Sequence, residues 1–413
     1  MICILRKQML ASGRIIRLFT ICAVLLLFSC SGEDESLLPV MPDHFEEIAF
    51  SLDDIATDLE VIPLSNDVPV LRSRHVEWYD NRFYVGDLYN NRIYRFTNDG
   101  KYIDMLDRQG RGAEEYLYIV DFFIDERTGH IYISTNIDKI VVYNQDFEFI
   151  RNIPYPQERE GALDAKWLNG SIHLFYFNYS GEGNGWVNID TSGQIINSRQ
   201  AIDKYKLPCS EFDIQIFENN GRLYRHYNLN DTIYEIDSTG YHPYCLVGRK
   251  FSDGYNLVVD ERTGGRSFHK TNDPYREFRS IYGIGDYWLI NYRKIFPSAE
   301  YNVIEETVLY DYKANKFYLI NSCRAEPGSP VHIGPPNDWA GWGAIFPRAY
   351  LETDDGSYIL YPMDSYRFIE RTLCDEFINS DPSRPEIKQR MIDIVDILTI
   401  EDNPVMVLLK LKH

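Results

Sequence analysis

Short runs of aromatic and β-branched residues, set apart by polar or glycine-containing turns, recur along this chain. The clearest are Asn81-Arg82-Phe83-Tyr84-Val85, Gly129-His130-Ile131-Tyr132-Ile133 and Asn169-Gly170-Ser171-Ile172-His173-Leu174. Three more are Asn220-Gly221-Arg222-Leu223-Tyr224, Gly285-Asp286-Tyr287-Trp288-Leu289 and Asp355-Gly356-Ser357-Tyr358-Ile359. A second apolar run follows several of them, at 92–96, 139–143 and 232–236, and a turn leads into a third, as in Asn98-Asp99-Gly100-Lys101-Tyr102-Ile103. These residue types suit a pleated, half-buried surface, and the turn residues between them mark strand ends. Six such units are visible, the first three roughly 40–50 residues apart, which is the spacing of propeller blades. The later spacings grow, so the later blades carry insertions. The pattern predicts an all-β, six-bladed β-propeller.

A blade cannot bury both faces of its sheet alone; neighbours on either side do so, and closing the ring protects the edges. Closure normally joins a strand from one terminus to a blade begun at the other. Leu59-Glu60-Val61-Ile62-Pro63-Leu64 and the apolar run from Pro404 to Lys412 are the two expected partners. One segment departs from the strand pattern. Ser383 and Glu386 have capping-box spacing, and Ile387, Met391, Ile394, Val395 and Leu398 recur at helical intervals. They predict a short helix near the C-terminus, stopped between Glu401 and Pro404, that covers a blade edge.

The first thirty residues follow other rules. Arg6, Lys7, Arg14 and Arg17 precede an apolar run at 18–28, too short for a membrane span and typical of a secretory leader. The run ends in Leu27-Phe28-Ser29-Cys30, which resembles a bacterial lipobox, with Phe28 bulkier than the usual residue there. The resemblance implies lipidation at Cys30 and a stable membrane anchor once several acyl chains are attached. Ser31-Gly32-Glu33-Asp34-Glu35 resembles the surface-export signal of Bacteroidetes lipoproteins; a solvated linker facing the periplasm is the alternative. The expected layout is a leader at 1–29, an acidic linker at 30–45 and the propeller at 46–413, held at the outer membrane and exposed on the cell surface. Four further cysteines, Cys209, Cys245, Cys323 and Cys374, allow three full disulfide pairings that sequence does not distinguish.

The region Asp107-Arg108-Gln109-Gly110-Arg111-Gly112-Ala113-Glu114-Glu115-Tyr116, followed by Val120-Asp121-Phe122-Phe123-Ile124-Asp125, resembles the inter-blade signature of NHL-type propellers. More closely, the chain is similar to the six-bladed β-propeller lipoproteins of Bacteroidetes. Those combine a lipobox, an early strand like Asp58-Leu59-Glu60-Val61-Ile62-Pro63-Leu64, this Arg-Gln-Gly loop, and an ending like Asp402-Asn403-Pro404-Val405-Met406-Val407-Leu408, and all four occur here. Ala113-Glu114 departs from the Pro-Gly that the family favours. The resemblance implies an NHL-like propeller over the whole mature chain, and a family mostly without assigned activity.

Charge narrows the partners. With 42 Lys plus Arg against 62 Asp plus Glu, the net charge of −20 repels phosphate backbones and excludes nucleic acid as an expected partner. Three regions are candidate sites. Arg111 lies among Arg108, Glu114 and Glu115 in a glycine-rich loop that either lines a propeller face or sets the crossing between blades. The Gly/Pro-rich stretch 321–348 holds Trp339 and Trp342, which either offer a stacking platform for a sugar or peptide or pin the loop from beneath. The stretch 247–280 concentrates Arg249, Lys250, Arg262, Arg266, His269, Lys270 and Arg276, suited to an acidic sugar or carboxylate, or else paired with Asp253, Asp260, Glu261 and Asp273. No GxSxG, HExxH or Walker motif is present, the histidines are scattered, and no EF-hand-like spacing supports Ca²⁺. No cofactor is therefore expected. The sequence favours a non-catalytic, lipid-anchored binding or interaction module, with a glycan, a peptide or an envelope protein as partner. The alternative is a hydrolase, lyase or lactonase whose carboxylates, histidines and a metal converge at the channel.

Overall fold

The computed structural model describes residues 38–412 apart from position 72 and the segments 136–138, 157–161, 163, 177–183, 201–213, 228–230, 238, 248–254, 260–265, 271–273, 297–301, 326–333, 346 and 354–355. The chain divides into a unit spanning 1–39 and a unit spanning 40–413, and all the sheets belong to the second.

Strands β1 (Glu46–Glu47) and β2 (Ala56–Pro63) precede the first complete blade. Blade 1 is β3 (Ser73–Tyr79), β4 (Arg82–Asp87), β5 (Arg92–Thr97) and β6 (Tyr102–Leu106). Blade 2 is β7 (Ile119–Asp125), β8 (His130–Thr135), β9 (Lys139–Tyr143) and β10 (Phe149–Pro154). Blade 3 is β11 (Asp164–Leu168), β12 (Ser171–Phe175), β13 (Asn184–Ile189) and β14 (Ile195–Gln200). Blade 4 is β15 (Ile214–Asn219), β16 (Arg222–Tyr227), β17 (Thr232–Asp237) and β18 (Gly240–Leu246). A separate hairpin, β19 (Tyr255–Val259) with β20 (Arg266–Lys270), follows. Blade 5 is β21 (Tyr275–Ile284), β22 (Tyr287–Phe296), β23 (Asn302–Asp311) and β24 (Lys316–Ala325), with β1 added in parallel on the outer edge of β24. Blade 6 is β25 (Ala349–Thr353), β26 (Gly356–Met363), β27 (Val405–Leu411) and, outermost, β2. This is the six-bladed, all-β propeller that the repeats predict.

The inner strands contact one another from blade to blade: β25 with β3, β3 with β7, β7 with β11, and β15 with β21. They ring the axis. Strands just outside them are buried on both faces because a neighbouring blade covers each side. In β8 and β9 nearly every side chain is buried, whereas the outer strand β14 is polar and largely exposed. The tight turns that open many of the repeats follow the hairpin rule. Asp80-Asn81, Asn169-Gly170 and Asn220-Gly221 all have positive φ at both central positions, as the twist of a two-residue hairpin requires. Each seam between blades then holds its own apolar cluster, such as Phe83, Tyr94 and Leu408 between blades 6 and 1.

Ring closure is the antiparallel pairing of β2 with β27, in a register that sets Leu59 opposite Leu409 and Val61 opposite Val407. The two runs expected to meet therefore do so. Ahead of β2 the chain works as a belt. Met41 donates its N–H to the Leu246 carbonyl at 2.7 Å, β1 covers β24, and Asp338 accepts from the Leu52 N–H and the Ser51 hydroxyl at 2.9 and 2.6 Å. Arg276, buried at the start of β21, donates to the carbonyls of Val247 and Pro42. Exposed sheet edges invite pairing with other chains, and the belt covers those of blades 4 and 5.

Three helices lie between β26 and β27: α1 (Ser365–Thr372), α2 (Asp375–Ile378) and α3 (Pro385–Val395). α3 buries Ile387, Met391 and Val395 against the seam of blades 5 and 6 and packs on β2, so the expected edge cover is present with two further helices. The expected capping box is not. Pro385 occupies the first helical position, Arg384 is the N-cap without a side-chain cap bond, and the Ser383 hydroxyl instead donates to the Asp338 carbonyl at 3.2 Å. Among the described residues no helix is long and apolar enough to cross a membrane. Cys245, Cys323 and Cys374 are free thiols, and Cys209 and Cys30 lie outside the described residues.

Gly100 shows how tightly the closure seam is built. It sits at φ +83°, and a Cβ there would lie 2.3 Å from the Pro63 carbonyl oxygen. Ser65 donates to the Gly100 carbonyl at 2.8 Å, so that backbone cannot withdraw freely. Gly100→Ala is expected to destabilise the protein by about 1–3 kcal/mol, the usual cost of forcing atoms into packed space. Chemical denaturation at equilibrium measures this; an unchanged midpoint would contradict it.

Candidate functional site

Charged side chains on three successive inner strands meet at the axis. His75 and Glu77 come from β3, Asp121 from β7, and Asp164 and Lys166 from β11. The alternation of each strand sends His75 and Glu77 to one face and Asp164 and Lys166 likewise, so two blades flank Asp121. The His75 Nδ1 lies 2.9 Å from Asp121 and its Nε2 lies 2.6 Å from Glu77. Lys166 reaches Asp164 at 3.2 Å and Asp121 at 3.6 Å. Carboxylates only accept, so both ring nitrogens of His75 carry protons.

Electrostatics agree with that protonation. Burial works against the imidazolium, but Asp121 and Glu77 outweigh it and raise the His75 pKa to about 10. Burial alone would raise Asp121, yet Lys166 and His75 hold it well below the usual carboxylate range. Burial likewise opposes the Lys166 charge, and Asp121 and Asp164 hold it protonated. Asp164 is shifted upward: burial leads, and Asp121 adds to it against the pull of Lys166. The side chains of His75 and Asp121 remain 20% and 9% exposed, so the chain of ion pairs lines the axis rather than being sealed. Chemically it is a self-compensated network. An imidazolium with both nitrogens engaged has no lone pair with which to take a proton.

Two cavities open on the face made of tight turns, and a third, about 720 Å³, lies at the outer strands of blades 3 and 4, lined by Ser198, Arg199, Tyr234 and Tyr241 among others. On the tight-turn face, a cavity of about 580 Å³ lies between blades 6 and 1 and reaches the turns of blades 1 and 2. Trp78 is the partly open aromatic side chain in it, with Phe83, Tyr358 and Leu408 buried behind, and its rim includes Glu60, Asp80, Asn81, Asn98 and Glu126. Trp78 is held edge-on against Phe83, with ring centroids 4.7 Å apart, and keeps part of its surface open. The second, about 400 Å³, lies between blades 3 and 4.

The residues singled out from sequence lie apart from these cavities and from one another. Trp339 is completely buried, with the Arg384 guanidinium 3.5 Å above its ring, and Trp342 is 3% exposed and donates from Nε1 to the Thr372 hydroxyl at 3.1 Å. Neither offers an open platform: the helices after β26 cover them, and both belong to the core beneath. Arg111 is exposed in a loop that serves the crossing from blade 1 to blade 2. There Tyr143 donates to the Glu114 carbonyl at 2.6 Å, and Asn152 and Lys139 donate to that of Ala113. Arg266 and His269 lie on β20 of the extra hairpin, and Arg262 lies outside the described residues. Arg276, from the same basic stretch, is committed to the belt. The axial charges and the seam residues Trp78 and Glu60 carry no local signal in sequence, because they are brought together from different blades. Among the described residues no group of three or more His, Cys, Asp or Glu side chains is arranged to hold a metal.

The axial network implies a pH dependence. His75 has a folded pKa of about 10 against roughly 6.5 for an unperturbed imidazole. Its stabilising contribution is therefore complete below pH ~6.5 and is lost as pH rises through 10. The thermal midpoint is expected to fall between pH 7 and pH 10. Asp121→Asn is expected to lower it at pH 7, since breaking a buried pair costs about 3–5 kcal/mol, and to flatten the slope. A variant with the wild-type slope would contradict this assignment.

Comparison with known proteins places the fold. A crystal structure of a candidate exported protein from Bacteroides fragilis superposes with a TM-score of 0.62 at 16% identity, covering 91% of this chain and 99% of that one. A streptogramin B lyase structure gives a TM-score of 0.38 at 15% identity over 73% of this chain and 94% of its own, too low to bear on function. No curated protein matches the chain. The Bacteroides fragilis likeness extends over nearly the whole propeller, and the match of residues 41–410 to the family model agrees with it: the chain belongs to the family described as a domain of unknown function, DUF4934.

Proposed function

We propose that the protein is a lipid-anchored binding module of the cell envelope that seats a neutral glycan in the cleft between blades 6 and 1. The composition of that cleft carries the reading. Trp78 presents aromatic surface beside the carboxylates of Glu60, Asp80 and Glu126 and the amides of Asn81 and Asn98. Aromatic faces pack on the C–H faces of sugar rings, while carboxylates and amides take hydrogen bonds from hydroxyls. The volume falls within the range of about 300–1,000 Å³ usual for ligand sites. The engagement of the axial groups with one another supports a non-catalytic role.

For the location, the lipobox-like sequence at Cys30 and the acidic residues at 31–35 support a lipid anchor at the outer membrane with the propeller on the cell surface. The exported relative from Bacteroides fragilis supports export. The face of long loops, opposite the cleft, is left for an envelope protein partner.

Two outcomes are expected. Titration of the full chain with neutral oligosaccharides, followed by calorimetry, should show binding that weakens at least tenfold in Trp78→Ala, with circular dichroism unchanged. Binding of basic peptides in place of glycans, or glycan binding untouched by Trp78→Ala, would overturn the ligand assignment. Separately, Cys30→Ser should move the protein from the membrane fraction to the soluble fraction on cell fractionation. Its retention in the membrane would rule out the anchor.

A further inference from the structure

The second cavity lies at the seam of blades 3 and 4, which has the smallest apolar cluster among the described residues: Leu168, Phe175, Trp186, Leu223 and Ile236. Where other seams are filled by aliphatic and aromatic side chains, this one presents a polar wall. Ser171 and His173 project from β12, and Asn188 stands opposite His173 on β13. All three are at least nine-tenths buried.

The hydrogen bonds fix what the wall offers. The Trp186 indole N–H donates to His173 Nδ1 at 3.2 Å, so the ring proton sits on Nε2. That proton faces the Ser171 oxygen at 3.2 Å, and the Ser171 hydroxyl donates to the Leu168 carbonyl at 3.2 Å. The serine and histidine are thus oriented opposite to a nucleophile and its base. Burial lowers the His173 pKa to about 4, so the ring stays neutral. The Asn188 Oδ1 has no hydrogen-bond partner although it is buried. A buried acceptor left unmade costs free energy, and a ligand able to donate to it removes that cost. At the mouth, Arg222 and Glu235 pair with each other at 3.3 Å, and Ile196 stands half exposed beside them.

We infer that the seam between blades 3 and 4 is a second binding site, which takes a neutral, hydroxyl-bearing molecule of monosaccharide size and uses the Asn188 Oδ1 as its buried acceptor. The inner wall holds no charge, so a charged group inserted there would be desolvated without a counter-charge. At the rim, Arg222 and Glu235 compensate each other, and the Asp237 carboxylate is engaged by the Thr239 hydroxyl and His242. The cavity, at about 400 Å³, lies toward the lower end of the ligand-site range and suits one ring better than a chain. The site is separate from the cleft at blades 6 and 1 and does not depend on the reading given to that cleft.

The test is calorimetric titration and saturation-transfer NMR on the full chain. The probes are glucose, galactose and N-acetylglucosamine, with glucuronate and glucosamine as charged counterparts. At least one neutral sugar is expected to bind, and the charged forms are expected to bind at least tenfold more weakly. Asn188→Leu, which keeps the volume and removes the acceptor, should weaken binding tenfold or more. Ile196→Trp, at an exposed position of the mouth, should block entry without touching the wall, and so decides the matter if the leucine variant fails to fold. Trp78→Ala should leave this binding unchanged, which separates it from the larger cleft. Absence of binding by all three neutral sugars, preference for a charged form, or binding that survives Ile196→Trp would each overturn the inference.

Discussion

Pairing of β2 with β27 is the constraint on which the remaining architecture rests. Each blade buries its two faces only against two neighbours, so an open ring would expose both apolar faces of the parted seam. Seven register positions along these strands close blade 6 with a strand from the other end of the chain. The same segment, before it pairs, runs past the outer edges of blades 4 and 5 and is held there by Arg276, β24 and Asp338. Closure and edge protection are thus one device. It also explains why Gly100 is fixed: the β5–β6 turn has to approach the backbone of the closing strand.

A ring closed in this way leaves little freedom in its cores but several places where seams part. The axis is occupied by opposite charges from three blades that compensate one another, with His75 held as an imidazolium between two carboxylates. Two seam cavities open instead on the side of tight turns, where short connections cannot fold over them. The insertion between β26 and β27 forms a helical cover over Trp339 and Trp342. Fold and candidate sites are therefore linked: rigid short turns leave the seams accessible, and the strands supply side chains whose positions the sheet fixes.

The fold was largely legible because blade formation is local. Turn pairs such as Asn169-Gly170 and Asn220-Gly221 adopt the backbone that their residue types favour, and the apolar runs after them become the second strands of their blades. Closure was legible because a strand-like apolar run stands at each end of the repeats, at 59–64 and 404–412. The start of α3 was misjudged because capping spacing ignored the Pro at position 385 and the tertiary acceptor on Asp338 that takes the Ser383 hydroxyl. The candidate sites were mostly not legible. Long loops drew attention to Trp339, Trp342 and Arg111, yet the indoles serve the core, and the loop of Arg111 serves the crossing between blades. Trp78, Glu60 and Asn188 lie in strands that read as ordinary repeats, and their placement together depends on contacts between blades that no local pattern encodes.

The central claim, that the ring is closed by β2 on β27, is tested most directly by hydrogen exchange followed by mass spectrometry. Amides covering residues 59–62 are expected to exchange as slowly as those of β26 and β27, because all three would open only with the whole ring. Exchange at 59–62 orders of magnitude faster than at 405–409 would mean that β2 frays independently, and would contradict closure as the element on which the propeller depends.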